Sequence, residues 1–168
     1  QLYGDVNEND DDLASAQDLG ELSNGLTALD EVSIDKAGDD DWYEFSVASA
    51  GDVSITITPQ GERYDVGPQG GAAAPVDTLL NLDLSFELVA SDGTPLAVVN
   101  AGGLGAPEAL LDFTLPSAGT YYVKVIGAGD ATAEPQLYSM ELRASGLSGG
   151  FVGRQPRLLS VAPNSGEI

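Results

Sequence analysis

The chain has 168 residues, of which 42% are hydrophobic, and this is enough for one domain of ordinary size with its own core. It carries 27 acidic and 6 basic residues, a net charge of -21 that repels nucleic acid and anionic membrane surfaces. It has no cysteine and no histidine, which excludes disulfides, thiolate metal sites, and Ser-His-Asp or Cys-His catalysis.

The N-terminal segment opens with an acidic cluster formed by Asp5 and the run from Asn7 to Asp12. Apolar residues follow within the stretch from Asp12 to Leu22, namely Leu13, Ala14, Ala16 and Leu19. This pattern predicts a short helix or helical turn there, capped by Asp10, Asp11 or Asp12, because carboxylates accept hydrogen bonds from the first amides of a helix and complement its dipole.

A second acidic cluster, Asp39 to Asp41, runs directly into an alternating segment. The apolar residues of this segment are Tyr43, Phe45 and Val47, and those of the next are Val53, Ile55 and Ile57. Alternation with period two is typical of a strand with one buried face. Because Ala50, Gly51 and Asp52 separate the two segments, we predict that they pair as a hairpin.

Further strands are predicted along the rest of the chain. Leucines and Phe86 alternate with polar residues from Leu80 to Leu88, and after the Asp92-Gly93 turn a strand returns from Pro95 to Asn100. The remaining strands contain, in order, Leu111 to Leu115, Thr120 to Gly127 and Leu137 to Ala144. About seven or eight strands of this kind predict an all-β fold, an antiparallel β-sandwich of jelly-roll-like type with the short N-terminal helical segment.

Two parts of the chain lack the strand pattern. Residues 59–77 are rich in Gly, Ala and Pro, which indicates a long surface loop. Residues 146–155 are rich in Gly and Ser and are predicted to be a linker, after which residues 156–168 begin a new strand-like run. We therefore expect one sandwich domain over residues 1–145, followed by a linker and the start of another module.

The two acidic clusters predict a calcium site. Clustered carboxylates repel one another unless they are solvated or share a cation, and Ca²⁺ binds about six to eight oxygen ligands from Asp, Glu, Asn and backbone carbonyls. The alternative is an acidic surface that serves only solubility. A hydrolase that uses a carboxylate pair such as Asp39 and Asp41 is a further, less favoured alternative, since residue type alone does not exclude it.

Paired aromatic residues raise a choice between core packing and ligand binding. In a strand, Trp42 and Tyr43 point to opposite faces, so one of them is expected in the core while the other covers its edge. Tyr121 and Tyr122 pose the same choice, with contact to a partner protein as the alternative for an exposed ring.

Several motifs, taken in order, resemble those of the bacterial pre-peptidase C-terminal domain family, and the collagen-binding domains of clostridial collagenases are similar. These motifs are Glu8-Asn9-Asp10 with Ala14, Ala16 and Leu19, then Asp39 to Phe45, Ala50 to Val53, Ser91 to Thr94, Ala118 to Val123, and Tyr138-Ser139. They extend over about residues 5–144. The tail from Arg157 to Gly166 resembles the opening of an immunoglobulin-like module.

The resemblance implies a non-catalytic β-sandwich accessory module of a secreted or cell-surface protein. In the calcium-binding members, ligands come from the acidic N-terminal segment and from the acidic loop before the Tyr-x-Phe strand. Carried over by position, the resemblance implies Ca²⁺ bound by the side chains of six residues, Asp5, Asn7, Asn9, Asp10, Asp39 and Asp41.

The expected function is attachment, spacing or assembly outside the cell, through an extracellular protein or polysaccharide or through neighbouring modules. The alternative from another class is a module that binds carbohydrate or a collagen-like protein through the 59–77 segment and exposed aromatic residues. No apolar run approaches the length of a membrane span, and no signal peptide begins this sequence, so we expect any export signal to lie outside it.

Overall fold

The structure is a computed structural model that describes residues 10–35, 39–68, 71–129 and 135–148. These residues contain eleven strands and one short 3₁₀ turn, Thr78–Leu80. The strands are β1 Gln17–Leu22, β2 Gly25–Ile34, β3 Asp40–Val47, β4 Gly51–Gln60, β5 Arg63–Val66, β6 Ala74–Asp77, β7 Asp83–Ala90, β8 Pro95–Val99, β9 Glu108–Leu115, β10 Gly119–Ala128 and β11 Gln136–Ser145. No helix of the described residues is long and apolar enough to cross a membrane.

Two packed sheets confirm the predicted β-sandwich. One sheet has five strands in the order β1-β3-β10-β7-β8, and the other has four in the order β2-β11-β4-β9. All neighbouring strands are antiparallel except β1 and β3, which run parallel. We call the first the five-stranded sheet and the second the four-stranded sheet; β5 and β6 form a separate hairpin.

The core lies between the inner faces of the two sheets. On β3 the side chains of Tyr43, Phe45 and Val47 are buried, and every second residue of β4 and β10 joins the same cluster. The alternation in the sequence therefore correctly predicts the apolar face of β3, β4 and β10. On β9 the prediction is wrong at Leu111, which is 69% exposed, because the register shifts next to it and Leu110 packs against the core instead. Removal of this apolar surface from water is the main source of stability in such a fold.

The predicted hairpin of β3 with β4 is wrong. β3 pairs with β1 and β10 in the five-stranded sheet, whereas β4 pairs with β11 and β9 in the four-stranded sheet. The connection through Ala50 therefore passes from one sheet to the other. Both strands direct their apolar faces at the same core, and alternation cannot distinguish strands that pair side by side from strands that face each other across a sandwich.

The predicted N-terminal helical segment is also wrong. Asp12 instead closes a single turn, in which its Oδ1 accepts hydrogen bonds from the amides of Ala14 and Ser15, both at 2.9 Å. β1 then begins at Gln17 and pairs with β3. Asp12 is one of the three residues predicted to cap the helix, but no helix follows it: the next segment gains backbone partners in the sheet, and Gly20 adopts a φ of 79° that a helix does not allow.

The predicted 59–77 loop contains more regular structure than its composition indicates. β4 extends to Gln60, and β5 and β6 pair between Arg63 and Asp77. The 3₁₀ turn follows, so the strand predicted from Leu80 begins only at Asp83. Short strands rich in Gly, Ala and Pro have no apolar period, because a hairpin that stands apart from the core does not bury one face.

One buried side chain, Gln136, holds this segment to the sandwich. Its Oε1 accepts hydrogen bonds from the amides of Asn81 and Leu82 at 3.1 and 3.2 Å. Its Nε2 donates to the carbonyl oxygens of Gln60 and Leu137, both at 2.9 Å. Gln136 is 0% exposed, so the buried amide satisfies its polar atoms by joining the end of β4 to the start of β7.

Irregularities interrupt the pairing of strands at the sheet edges. Pairing shifts register within β1, next to Glu31 of β2, and next to Asp112 of β9, and these two residues have φ values of 59° and 51°. The amide of Asp112 donates to Ser54 Oγ at 2.9 Å, which supports the bulge. Bulges of this kind oppose the addition of further strands at an edge.

Candidate metal-binding end of the sandwich

One end of the sandwich collects carboxylates, and we call it the acidic end. It lies where β2 stops at Ile34, where β3 starts at Asp40 and where β11 starts at Gln136, since Gln136 is paired with Ile34. Asp83 is at the same end, because β10 places it two register positions beyond Ser85, the residue level with Asp40. The described carboxylates at this end include those of Asp10, Asp35, Asp39, Asp40, Asp41 and Asp83.

Asp41 is a buried member of this group. The alternation that buries Tyr43 also turns Asp41 toward the core, where it is 6% exposed. Its Oδ2 accepts a hydrogen bond of 2.5 Å from the phenol of Tyr138, which lies on β11 of the opposite sheet. The phenol oxygens of Tyr43 and Tyr138 are 2.7 Å apart, so a chain of polar groups links Asp41 and Tyr43 of β3 to Tyr138 of β11 across the core.

Burial raises the pKa of Tyr138 well above that of a free phenol, and the neighbouring Tyr43 and Asp41 reinforce the shift. Tyr138 therefore stays protonated and donates its proton toward the carboxylate. A buried carboxylate needs a hydrogen-bond donor such as this phenol, or a bound cation. Burial of one unpaired charge costs on the order of several kcal/mol.

Asp10, the first described residue, meets the start of β3. Its carbonyl oxygen accepts a hydrogen bond of 3.0 Å from the amide of Trp42. Asp10 is 6% exposed. The fold therefore brings the last part of the first acidic cluster alongside the second, although Asp10 and Asp41 are 31 positions apart in the sequence.

Asp39 organises the loop that precedes β3. Its Oδ2 accepts a hydrogen bond of 3.1 Å from the amide of Asp35. In the described part of the chain, buried oxygens Oδ1 of Asp35 and Oδ1 of Asp83 have no hydrogen-bond partner. Sequence reasoning singled out neither residue, because Asp35 lies outside the acidic run and Asp83 occupies an ordinary polar position of an alternating strand.

Of the six predicted ligands, Asp10, Asp39 and Asp41 lie at the acidic end, and Asp5, Asn7 and Asn9 lie outside the described residues. No three acidic side chains among the described residues are close enough together to hold a metal ion by themselves. The described carboxylates therefore do not make a complete metal site by themselves.

Asp40 points the other way, to the outer face of the five-stranded sheet. Its Oδ2 lies 2.8 Å from Lys124 Nζ, and Lys124 Nζ lies 5.5 Å from the ring centroid of Trp42. Trp42 and Tyr122 make an edge-to-face contact with centroids 6.4 Å apart. Asp40 therefore forms an ion pair with Lys124 on the outer face, away from Asp41. Lys124 also makes a cation–π contact with Trp42.

The aromatic pairs are placed by the same alternation. Tyr43 is in the core, and Trp42 is half-buried on the outer face under Lys124. Tyr121 stacks on Phe45 inside the core, while Tyr122 on the outer face donates to Glu44 Oε2 at 3.0 Å. Partial desolvation raises the pKa of Tyr122, and the hydrogen bond to Glu44 reinforces the shift. Neither tyrosine presents an open ring to a partner.

These features define a class of protein: a two-sheet β-sandwich with a carboxylate-rich end and a polar chain that links the sheets. The family described as the bacterial pre-peptidase C-terminal domain matches residues 39–127, which is more than half of the chain. The chain belongs to this family, whose members are non-catalytic accessory modules of secreted proteins.

Two solved structures resemble the chain. The pre-peptidase C-terminal domain of a collagenase from Bacillus anthracis is 18% identical, with a TM-score of 0.46 over 77% of this chain and 94% of that one. PliG from Aeromonas hydrophila, a periplasmic inhibitor of g-type lysozyme, is 14% identical, with a TM-score of 0.40 over 77% of this chain and 99% of that one. Comparison with curated protein sequences gives no match.

Proposed function

We propose that the chain is a calcium-stabilised accessory module, without catalytic activity, that acts in attachment, spacing or assembly of a secreted or cell-surface protein. The observation that carries this proposal is the meeting of Asp10 with the start of β3, beside the buried Asp41. Asp10 and Asp41 are each 6% exposed, so a cation bound at this end of the sandwich would be shared by acidic residues that the fold already holds in place.

The donor set fits a hard cation. Carboxylate oxygens are the available ligands at the acidic end, and the absence of His and Cys from the sequence leaves no nitrogen or thiolate ligand for zinc or copper. In the proposed site, Asp10, Asp39 and Asp41 bind Ca²⁺ together with Asp5, Asn7 and Asn9 of the N-terminal segment. Bound calcium would neutralise part of the carboxylate charge and fasten this segment to β3.

Thermal unfolding tests the proposal. We expect millimolar Ca²⁺ to raise the melting temperature and Mg²⁺ to raise it less, because a ligand that binds only the folded state adds stability, about 2.7 kcal/mol when its concentration is a hundred times its Kd. A variant with Asp5→Asn, Asn7→Ala and Asn9→Ala should lose this response while keeping its stability in chelator.

The matched control is Asp92→Asn, which removes one negative charge from the turn between β7 and β8, far from the acidic end. It should keep the full calcium response, since asparagine can still accept the hydrogen bond that Asp92 Oδ1 receives from the amide of Thr94 at 2.9 Å. An equal response of the ligand variant and this control would mean that calcium acts only by screening the net charge of -21.

A second candidate function is recognition of an extracellular protein or polysaccharide through the hairpin of β5 and β6. The hairpin is a sheet of its own, and Val66 on it is 52% exposed. Binding to a glycan array or to collagen that is lost when the hairpin is shortened to a Gly-Ser turn would support this candidate. Binding that survives the shortening would assign recognition to another surface.

A further inference from the structure

Asp10 and Ser148, the first and last residues that the structure describes, lie at opposite ends of the sandwich. Asp10 lies at the acidic end, where its carbonyl meets Trp42 near the start of β3. Ser148 lies at the other end, where its amide donates to Ser49 Oγ, just beyond the end of β3, at 2.7 Å. Because Ser49 lies seven residues after Trp42, the two points are separated by about 23 Å along the strand direction. A pull on both points is therefore directed along the strands.

The segment after β11 is fastened to the body. Leu147 is 5% exposed, and its backbone exchanges two hydrogen bonds of 2.9 Å with the side chain of Asn24. Asn24 lies in the turn between β1 and β2, and Ser49 lies after β3. The end of the four-stranded sheet is thus tied to turns that follow two strands of the five-stranded sheet, and force at Ser148 reaches both sheets.

Force reaches the sandwich through β1, the strand that follows Asp10, and through β11, the strand that precedes Ser148. Both strands are hydrogen-bonded to neighbouring strands. β11 pairs along its length with β4, from Leu137–Gln60 to Ser145–Asp52, and also with β2 on its other edge. β1 pairs with β3 from Gln17–Tyr43 to Leu22–Val47. The ladder hydrogen bonds lie across the direction of pull, so a strand slides only if many of them break together.

The polar chain in the core adds a direct link between the two sheets. Tyr138 belongs to β11, the last strand before Ser148, and Asp41 belongs to β3, the strand beside Asp10. Their hydrogen bond of 2.5 Å joins β11, which is loaded at Ser148, to β3, which contacts Asp10. It resists displacement of one sheet along the other.

From these contacts we propose that the module carries tension along its strand axis, as a spacer that holds its length under force. The proposal concerns the described sandwich with or without bound metal, and so it does not rest on calcium binding. Forced unfolding is governed by the unfolding rate rather than by equilibrium stability. This rate under load depends on whether the force breaks the ladder hydrogen bonds together or one after another.

Single-molecule pulling in two directions tests the proposal. The sequence has no cysteine, so two introduced cysteines give unique attachment points. Asp11→Cys with Ser148→Cys loads the sandwich along its axis. Ser23→Cys with Ser148→Cys pulls at one end only and peels β2 from β11 one pair at a time. All three side chains are exposed, and calorimetry on both double variants establishes that they are folded to the same extent.

We expect the axial rupture force to exceed the peeling force about two-fold or more at the same loading rate, because hydrogen bonds of modest individual strength resist best when they break together. Equal forces, or a weaker axial rupture, would overturn the proposal. If either double variant is unfolded, the unsubstituted chain placed between two folded marker domains gives the axial force, which must then exceed that of markers known to unfold by peeling.

Discussion

The phenol of Tyr138 lies 2.5 Å from Oδ2 of Asp41 and joins a strand of one sheet to a strand of the other through the core. It also lies 2.7 Å from the phenol of Tyr43. Because Tyr138 gives its single proton to Asp41, the phenol of Tyr43 is the donor to Tyr138, and Tyr138 thereby connects β11 to two residues of β3.

Replacement of Tyr138 by Phe should destabilise the protein by about 1–3 kcal/mol, because Asp41 loses its buried donor while the ring volume is kept. Urea denaturation measures the change. Tyr121→Phe is the matched control: its phenol donates to the backbone oxygen of Ser117 at 2.9 Å near the surface, where water can replace it. Equal losses of stability for the two variants would mean that the hydrogen bond from Tyr138 to Asp41 stabilises the protein no more than the one from Tyr121 to Ser117.

Alkaline pH should weaken the wild-type protein through Tyr138. Its pKa in the folded protein is raised above the ordinary 10.0, so this contribution to stability is complete below pH 10 and is lost as pH rises toward the folded pKa. Above the pKa of the unfolded phenol, the unfolded state binds fewer protons, and the free energy of unfolding falls by about 1.4 kcal/mol per pH unit.

The difference in stability between wild type and Tyr138→Phe isolates this effect, since the other tyrosines titrate in both proteins. We expect the difference to be constant from pH 7 to 9 and to shrink above about pH 10. A difference that stays constant up to pH 11 would contradict a raised pKa for this phenol.

Substitution of Gln136 by Met should cost at least about 2 kcal/mol, because the amides of Asn81 and Leu82 and the carbonyl oxygens of Gln60 and Leu137 all lose the buried side chain that joins them. Limited proteolysis should then cut the segment between β4 and β7 first. Gln60→Ala is the control, since Gln136 contacts the backbone oxygen of Gln60 and not its side chain. Resistance of this segment in the Gln136→Met variant would show that other contacts hold it.

Gly61→Ala should destabilise the protein by about 1–3 kcal/mol, since an added methyl group meets the backbone of Thr78 and Leu79 at the 3₁₀ turn and the turn must move. At Gly103, nothing lies within 4 Å of an added methyl group, so Gly103→Ala is the control and should be close to neutral. Thermal unfolding of both variants checks the contrast, and similar melting temperatures would contradict the close approach at Gly61.

Much of the candidate site could be predicted from the sequence, because the pattern that positions it lies within a few neighbouring residues. An acidic run that leads into an alternating strand places one carboxylate, Asp41, on the same face as Tyr43. Asp40, its neighbour, then points outward to Lys124. The roles of Asp35 and Asp83 were not accessible, since the burial of their oxygens depends on neighbours that are distant in sequence.

The sequence by itself determined that the protein is a β-sandwich, which residues of β3, β4 and β10 face its core, and where its acids accumulate, because alternation, turn residues and charge are properties of neighbouring residues. The tertiary structure decided the rest. It placed β3 and β4 in different sheets, made a strand of Gln17–Leu22 and gave Asp41 the phenol of Tyr138 as donor. These outcomes depend on which surfaces compete for the same core and the same hydrogen bonds, and that competition is settled only when the whole chain packs.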